Sequence, residues 1–135
     1  MEGLRFANGV ALGPRDEYLL LTETIGMLIH KVWLKGPKKG TSEIFMNALP
    51  GYPDNISYND NGIFWLAMPN IRVGAEFEDL YTQPFLGKVI SRLPRSIRES
   101  KEPGPYGIII GIDTLGQVRY NFQDLVVKSM PLRAL

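Results

Sequence analysis

Apolar and polar positions along this chain fall into short, strand-length runs separated by turn signals, and the runs recur. Phe6-Ala7-Asn8-Gly9-Val10-Ala11-Leu12 leads through a polar turn into the apolar run Tyr18-Leu19-Leu20-Leu21-Thr22. About 46 residues later, Tyr52-Pro53-Asp54-Asn55-Ile56-Ser57-Tyr58 leads through Asn59-Asp60-Asn61-Gly62 into Ile63-Phe64-Trp65-Leu66-Ala67-Met68. An imperfect repeat of roughly 40 to 50 residues built from short strands is the signature of β-propeller blades. Each copy also sets an oxygen-bearing side chain, Asn8 or Asp54, at the same point, just before its first strand. Equivalent points of successive blades surround one axis, so two oxygen donors brought there suggest a hard-cation site.

The pattern predicts an all-β chain of about two four-stranded blades. The first, about 6–50, has strands over 8–13, 18–22, 28–34 and 42–46, with turns at Gly13-Pro14-Arg15-Asp16 and across 35–40. Its second strand is apolar throughout, as expected of a strand covered on both faces. The second, about 52–124, has strands over 55–58, 63–68, 106–112 and 117–122, interrupted by an insertion at about 71–104. Within the insertion Leu86, Val89, Ile90 and Leu93 form one helical stripe, so it reads as partly helical, packed over one face of the propeller. Residues 125–135 read as the start of a further blade.

Composition narrows the function classes. Lys plus Arg number 15 against 14 Asp plus Glu, a net charge of +1, so no single-sign field attracts nucleic acid or an anionic membrane. The absence of cysteine removes disulfides, zinc thiolate sites and thiol nucleophiles together. The first five residues have no signal-peptide core, and the longest apolar run, Ile108-Ile109-Ile110, is far too short for a transmembrane segment. A propeller needs about four blades or more to close, and the 135 residues hold two periods. Either the chain is a fragment of a longer propeller or it closes by assembly, and the fragment is the expectation.

Phe6 to Val10, Tyr18 to Glu23, the stretch from Trp33 to Thr41, Leu49 to Ile56 and the Phe64-Trp65 strand together resemble the strictosidine synthase-like family. The insertion, preceded by Ile71-Arg72, is similar to that of its adipocyte plasma membrane-associated branch. The resemblance implies a six-bladed propeller related to paraoxonases and gluconolactonases, which hold calcium or another divalent cation on the axis and hydrolyse esters or lactones. It implies metal ligation by the Asn of the Asn-Gly motif and the Asp of the Pro-Asp motif, here Asn8 and Asp54. The paraoxonase pattern adds the next residue, Asn55. The expected activity is a calcium-dependent ester or lactone hydrolase acting on a small molecule, arylesterase-like in type. The alternatives are an amine–aldehyde condensing lyase of the strictosidine synthase type, and a non-catalytic scaffold with structural calcium. The true synthases lack the Asp of the Pro-Asp motif, so Asp54 favours the hydrolase. The resemblance alone also suggests a secretory or membrane-associated location.

Taken singly, Asn8 and Asp54 read equally as turn initiators that hydrogen-bond nearby backbone. Their repeat-equivalent placement, with the resemblance, points both to the metal; Asn55 joins them through the resemblance only. No general base is identified. The lone histidine, His30, lies in a third strand, away from a central tunnel. Glu23, at the end of the second strand, could point toward the axis, but a buried carboxylate paired with a neighbouring cation is the commoner explanation. Trp33, Phe64 and Trp65 are expected between the blades.

Overall fold

The computed structural model describes residues 3–71 and 106–125. Strands β1 (Ala7–Leu12), β2 (Tyr18–Glu23), β3 (Leu28–Trp33) and β4 (Ser42–Met46) pair in that order as one antiparallel sheet. After a two-residue strand β5 (Gly51–Tyr52), strands β6 (Ile56–Tyr58), β7 (Ile63–Met68), β9 (Tyr106–Asp113) and β10 (Val118–Leu125) form the second. β8 (Asn70–Ile71) pairs with β5 in a small ribbon that the hydrophobic pattern does not announce. The described residues are thus nearly all β, two four-stranded antiparallel meanders consistent with propeller blades, with β1 and β6 as neighbouring first strands and one short 3-10 turn at Pro14–Asp16. β10 runs to Leu125, one residue into the stretch assigned above to a further blade. The helical stripe of the insertion and the rest of that further blade lie outside the described residues. Among the described residues no helix is long and apolar enough to cross a membrane.

Side-chain chemistry sets the turns. Asn59 Oδ1 accepts the amides of Asn61 and Ile63 at 2.9 and 3.0 Å. Asp113 Oδ1 does the same for Leu115 and Gln117, both at 2.9 Å. Each turn is completed by a glycine in the left-handed region, Gly62 at φ +87° and Gly116 at φ +84°, where a Cβ would be strained.

The core lies between the two sheets. The alternation of β2 turns Tyr18, Leu20 and Thr22 to one face, with Ile29 from β3, against Ile56, Phe64, Leu66, Met68, Ile110 and Ile112 of the second sheet. Phe64 and Leu66 are fully buried, each contributing about 1.5–3 kcal/mol in transfer terms. The Phe64 ring meets Tyr58 at 4.6 Å and Tyr18 at 6.2 Å between centroids. Trp33 packs against this core as expected, edge-on to Tyr18. Trp65 takes the other face: on β7 it alternates with Phe64 and Leu66, so it lies on the side of the second sheet turned away from the first, against Tyr120 and Phe122. The outward faces of both sheets are also apolar, with Val10, Leu12 and Ile44 exposed on one and Ile109, Tyr120 and Phe122 on the other.

Lys31 shares the inner face of the first sheet and lays its ammonium 3.9 Å from the Tyr18 ring centroid and 4.3 Å from that of Trp33. Burial lowers its pKa. Burial likewise pushes the Tyr18 phenol up to about 12, helped by Tyr58 and Glu17. The Tyr18 hydroxyl is buried without a hydrogen-bond partner among the described residues, a loss of about 1–3 kcal/mol for an unpaired polar group. Tyr18→Phe in the complete protein is therefore expected to leave stability unchanged or raise it, by up to about 2 kcal/mol, in urea denaturation. Because the folded pKa is raised, the tyrosine's contribution is intact below the unfolded value of 10.0 and falls as pH rises toward about 12. The phenylalanine variant is expected to lose that alkaline sensitivity.

Candidate functional site

At the N-terminal end of the first strands the two blades touch through backbone. β1 carries a bulge there: Ala7 pairs with Glu23 and Val10 with Leu21, so Asn8 and Gly9 together oppose Thr22. In the second sheet Ala67 stands opposite two residues as well, accepting from the Asp54 amide and donating to the Asn55 carbonyl, each at 2.9 Å. Asn8 and Asp54 are thus structural equivalents, as the repeat implies. Asp54 lies two residues before β6, as expected, whereas Asn8 lies within β1, because the bulge extends the pairing to Ala7.

Gly9 makes their approach possible. Its amide donates to the Asp54 carbonyl at 3.2 Å. A Cβ at Gly9 would sit 2.6 Å from the Asp54 carbonyl oxygen and 2.8 Å from the Ile56 nitrogen, both backbone atoms that cannot give way cheaply. Thr22 closes the junction from below. Its fully buried hydroxyl accepts the Gly9 amide at 2.7 Å and donates to the Asp54 carbonyl at 2.8 Å. Two residues on, with the strand period of two, Thr24 donates to the Pro53 carbonyl at 2.7 Å and accepts from Asn8 Nδ2 at 3.2 Å.

The side chains proposed as ligands do not behave as turn initiators. That task falls to Asn59 and Asp113. Asn8 bonds a threonine hydroxyl instead of backbone, and neither the Asp54 carboxylate nor the Asn55 carboxamide makes a hydrogen bond or ion pair to another described residue. Asn8 and Asn55 are exposed and Asp54 is half-buried. A carboxylate and two carboxamides at one backbone junction suit a hard cation by donor type. Among the described residues no group of three or more His, Cys, Asp or Glu converges, so these positions offer part of a shell of about six to eight oxygens.

Glu23 and His30 belong to another arrangement. Strand alternation turns Glu23 to the face opposite Thr22, where it is 6% exposed. Glu23 Oε2 lies 2.6 Å from His30 Nε2, Oε1 accepts the Arg5 amide at 3.0 Å, and the Arg5 guanidinium is 3.7 Å away. Burial alone would raise the Glu23 pKa; the bonds from His30 and Arg5 outweigh it, and the carboxyl lies below its ordinary range. This is the buried carboxylate beside a cation, an arrangement that occupies the only histidine. The pairing joins residues seven apart across a hairpin, and the alternation of β2 with the β2–β3 turn is the signal that could have found it.

Two consequences are measurable in the complete protein. Gly9→Ala is expected to prise the two first strands apart and cost about 1–3 kcal/mol in denaturant melts. Glu23→Gln is expected to cost about 1–3 kcal/mol at neutral pH. Since the folded pKa is lowered, that difference is present above the ordinary glutamate value of 4.5 and shrinks as pH falls below it.

No family model matches the chain. It is similar to strictosidine synthase-like 13 of Arabidopsis thaliana, 36% identical over 98% of this chain and 33% of that protein. Strictosidine synthase-like 10 of the same plant is 42% identical over 71% of this chain and 25% of that protein. The adipocyte plasma membrane-associated protein of Gallus gallus is 31% identical, covering 97% of this chain and 32% of its own length. The chain therefore spans about a third of the length of curated relatives it matches. With two meander blades joined at equivalent Asn-Gly and Pro-Asp positions, and this identity along nearly all its residues, the chain belongs to the strictosidine synthase-like family, together with the adipocyte plasma membrane-associated proteins.

Proposed function

We propose that the complete protein is a calcium-dependent hydrolase of small esters or lactones, with Asn8 and Asp54, and Asn55 beside them, supplying part of the metal shell. The observation that carries this reading is the backbone junction at Gly9, which holds Asn8 against the Asp54-Asn55 pair while the Asp54 carboxylate stays unengaged by any described residue. Calcium would supply Lewis-acid polarisation of the scissile carbonyl and charge stabilisation as it becomes an oxyanion. The work of this chain's own residues is positional. Asp54 brings the negative charge, Asn8 and Asn55 bring neutral oxygens, and Thr22 and Gly9 hold the strands that carry them in register. His30 is not offered as the base, because its Nε2 is bonded to Glu23 and it shares the face turned away from the second blade.

A second reading is the amine–aldehyde condensing lyase, and the names of the plant relatives favour it. It requires no metal, and Asp54 then has no assigned task. The two readings part at one residue. Asp54→Ala in the complete protein is expected to abolish calcium binding in calorimetry and hydrolysis of aryl esters and lactones together. Hydrolysis that survives both the substitution and a chelator would overturn the metal-dependent reading. Calcium-dependent melting without turnover of any ester would instead indicate a scaffold.

A further inference from the structure

We propose that Thr24 is the positioning residue that decides which end of the Asn8 carboxamide faces the cation. The inference rests on the reading of Asn8 as a metal ligand and adds a residue to it.

A threonine hydroxyl has one proton and two acceptor lone pairs. The Thr24 proton is committed, because its partner at 2.7 Å is the Pro53 carbonyl oxygen, which can only accept. Toward Asn8 the hydroxyl therefore offers lone pairs alone. Of the two ends of a carboxamide only the NH2 can meet a lone pair, and Asn8 Nδ2 lies 3.2 Å away. The reversed amide would set Oδ1 against those lone pairs, losing one bond and adding repulsion. With Nδ2 held, Oδ1 is the end left free, and an oxygen is what a calcium ion requires.

The hydroxyl itself is not free to wander. The Thr24 amide donates to the Phe6 carbonyl at 2.9 Å, and its own carbonyl accepts the Met27 amide at 3.2 Å. Thr24 is thereby fixed to the residue at the entry to β1 and to the turn after β2. Its two side-chain bonds reach one residue of each blade, Asn8 in the first and Pro53 in the second, the latter adjoining Asp54. The proton direction at one ligand is thus set by the backbone next to another, so the two ligand positions are coupled through a side chain that touches no metal.

The test is calcium affinity of the complete protein, by calorimetry and by terbium luminescence, with melting in chelator as the control for folding. Thr24→Val is expected to weaken calcium binding about threefold to tenfold, the range of one lost hydrogen bond, with little change in the metal-free melt. Thr24→Ser, which keeps the hydroxyl, is expected to bind within about twofold of the parent protein. In the Asn8→Asp background the Thr24→Val loss is expected to vanish or reverse, because a carboxylate has no wrong end and cannot donate to the Thr24 lone pairs. Unchanged affinity in Thr24→Val, or an equal loss in both backgrounds, overturns the assignment. If calcium binding is lost in Asp54→Ala but indifferent to Thr24, this inference alone fails. A parent protein that binds no calcium defeats the functional reading and this inference together. Should the valine variant fail to fold, the calcium-loaded crystal structure of the parent protein decides: Oδ1 on the ion with Nδ2 on Thr24 supports the proposal, and a Thr24 hydroxyl turned away from Asn8 overturns it.

Discussion

One missing carbon governs the geometry of this molecule. The first strands of the two blades approach so closely at Gly9 that a Cβ there would lie 2.6 Å from the Asp54 carbonyl. The contact is sealed by a direct amide-to-carbonyl bond and by the buried Thr22 hydroxyl, which serves both strands at once. Burying a hydroxyl costs free energy unless its bonding capacity is used, and here it is used across the junction. Everything at the candidate site follows from that closeness: the bulge that carries Asn8, the neighbouring Asp54-Asn55 pair, and the second threonine that links them.

Behind the junction, apolar packing supplies the bulk of the holding force, and a few polar devices refine it. Phe64, Leu66, Leu20 and Ile29 fill the space between the sheets, while half-buried Lys31 lies over the Tyr18 and Trp33 rings. On the opposite face of the first sheet Glu23 gathers His30 and Arg5. The alternation of β2 separates these two environments cleanly. Thr22 serves the blade junction and Glu23, its immediate neighbour, serves the other face. The outward apolar faces, with Val10, Leu12, Ile109 and Phe122 exposed, have the character of sheets that stack on both sides.

Much of this was legible in the chain. The eight strands of the two sheets fall within one to three residues of the runs read from hydrophobic pattern, because each is bounded by strong turn chemistry such as Asn59 to Gly62 and Asp113 to Gly116. The equivalence of Asn8 and Asp54 was legible because a repeat of 46 residues carries equivalent backbone positions to equivalent places. The orientation of Trp65 was not. Alternation puts Trp65 opposite Phe64, but which of the two faces meets the first blade is set by packing, and that leaves the Trp65 ring against Tyr120, 55 positions away. Thr24 was also invisible, since its significance lies in where Pro53 and Asn8 stand in space.

The sequence by itself determined the all-β class, the strand boundaries, the family and the candidate ligand positions, because these depend on local turn chemistry, on side-chain alternation and on a repeat visible as text. Tertiary structure alone decided which face each strand turns inward. It also decided that Thr22 and Thr24 bind the ligand-bearing strands. Those outcomes rest on hydrogen bonds spanning up to 32 residues. A bond of that kind exists only once donor and acceptor atoms of two distant segments have been brought within about 3 Å of each other, which no local pattern specifies.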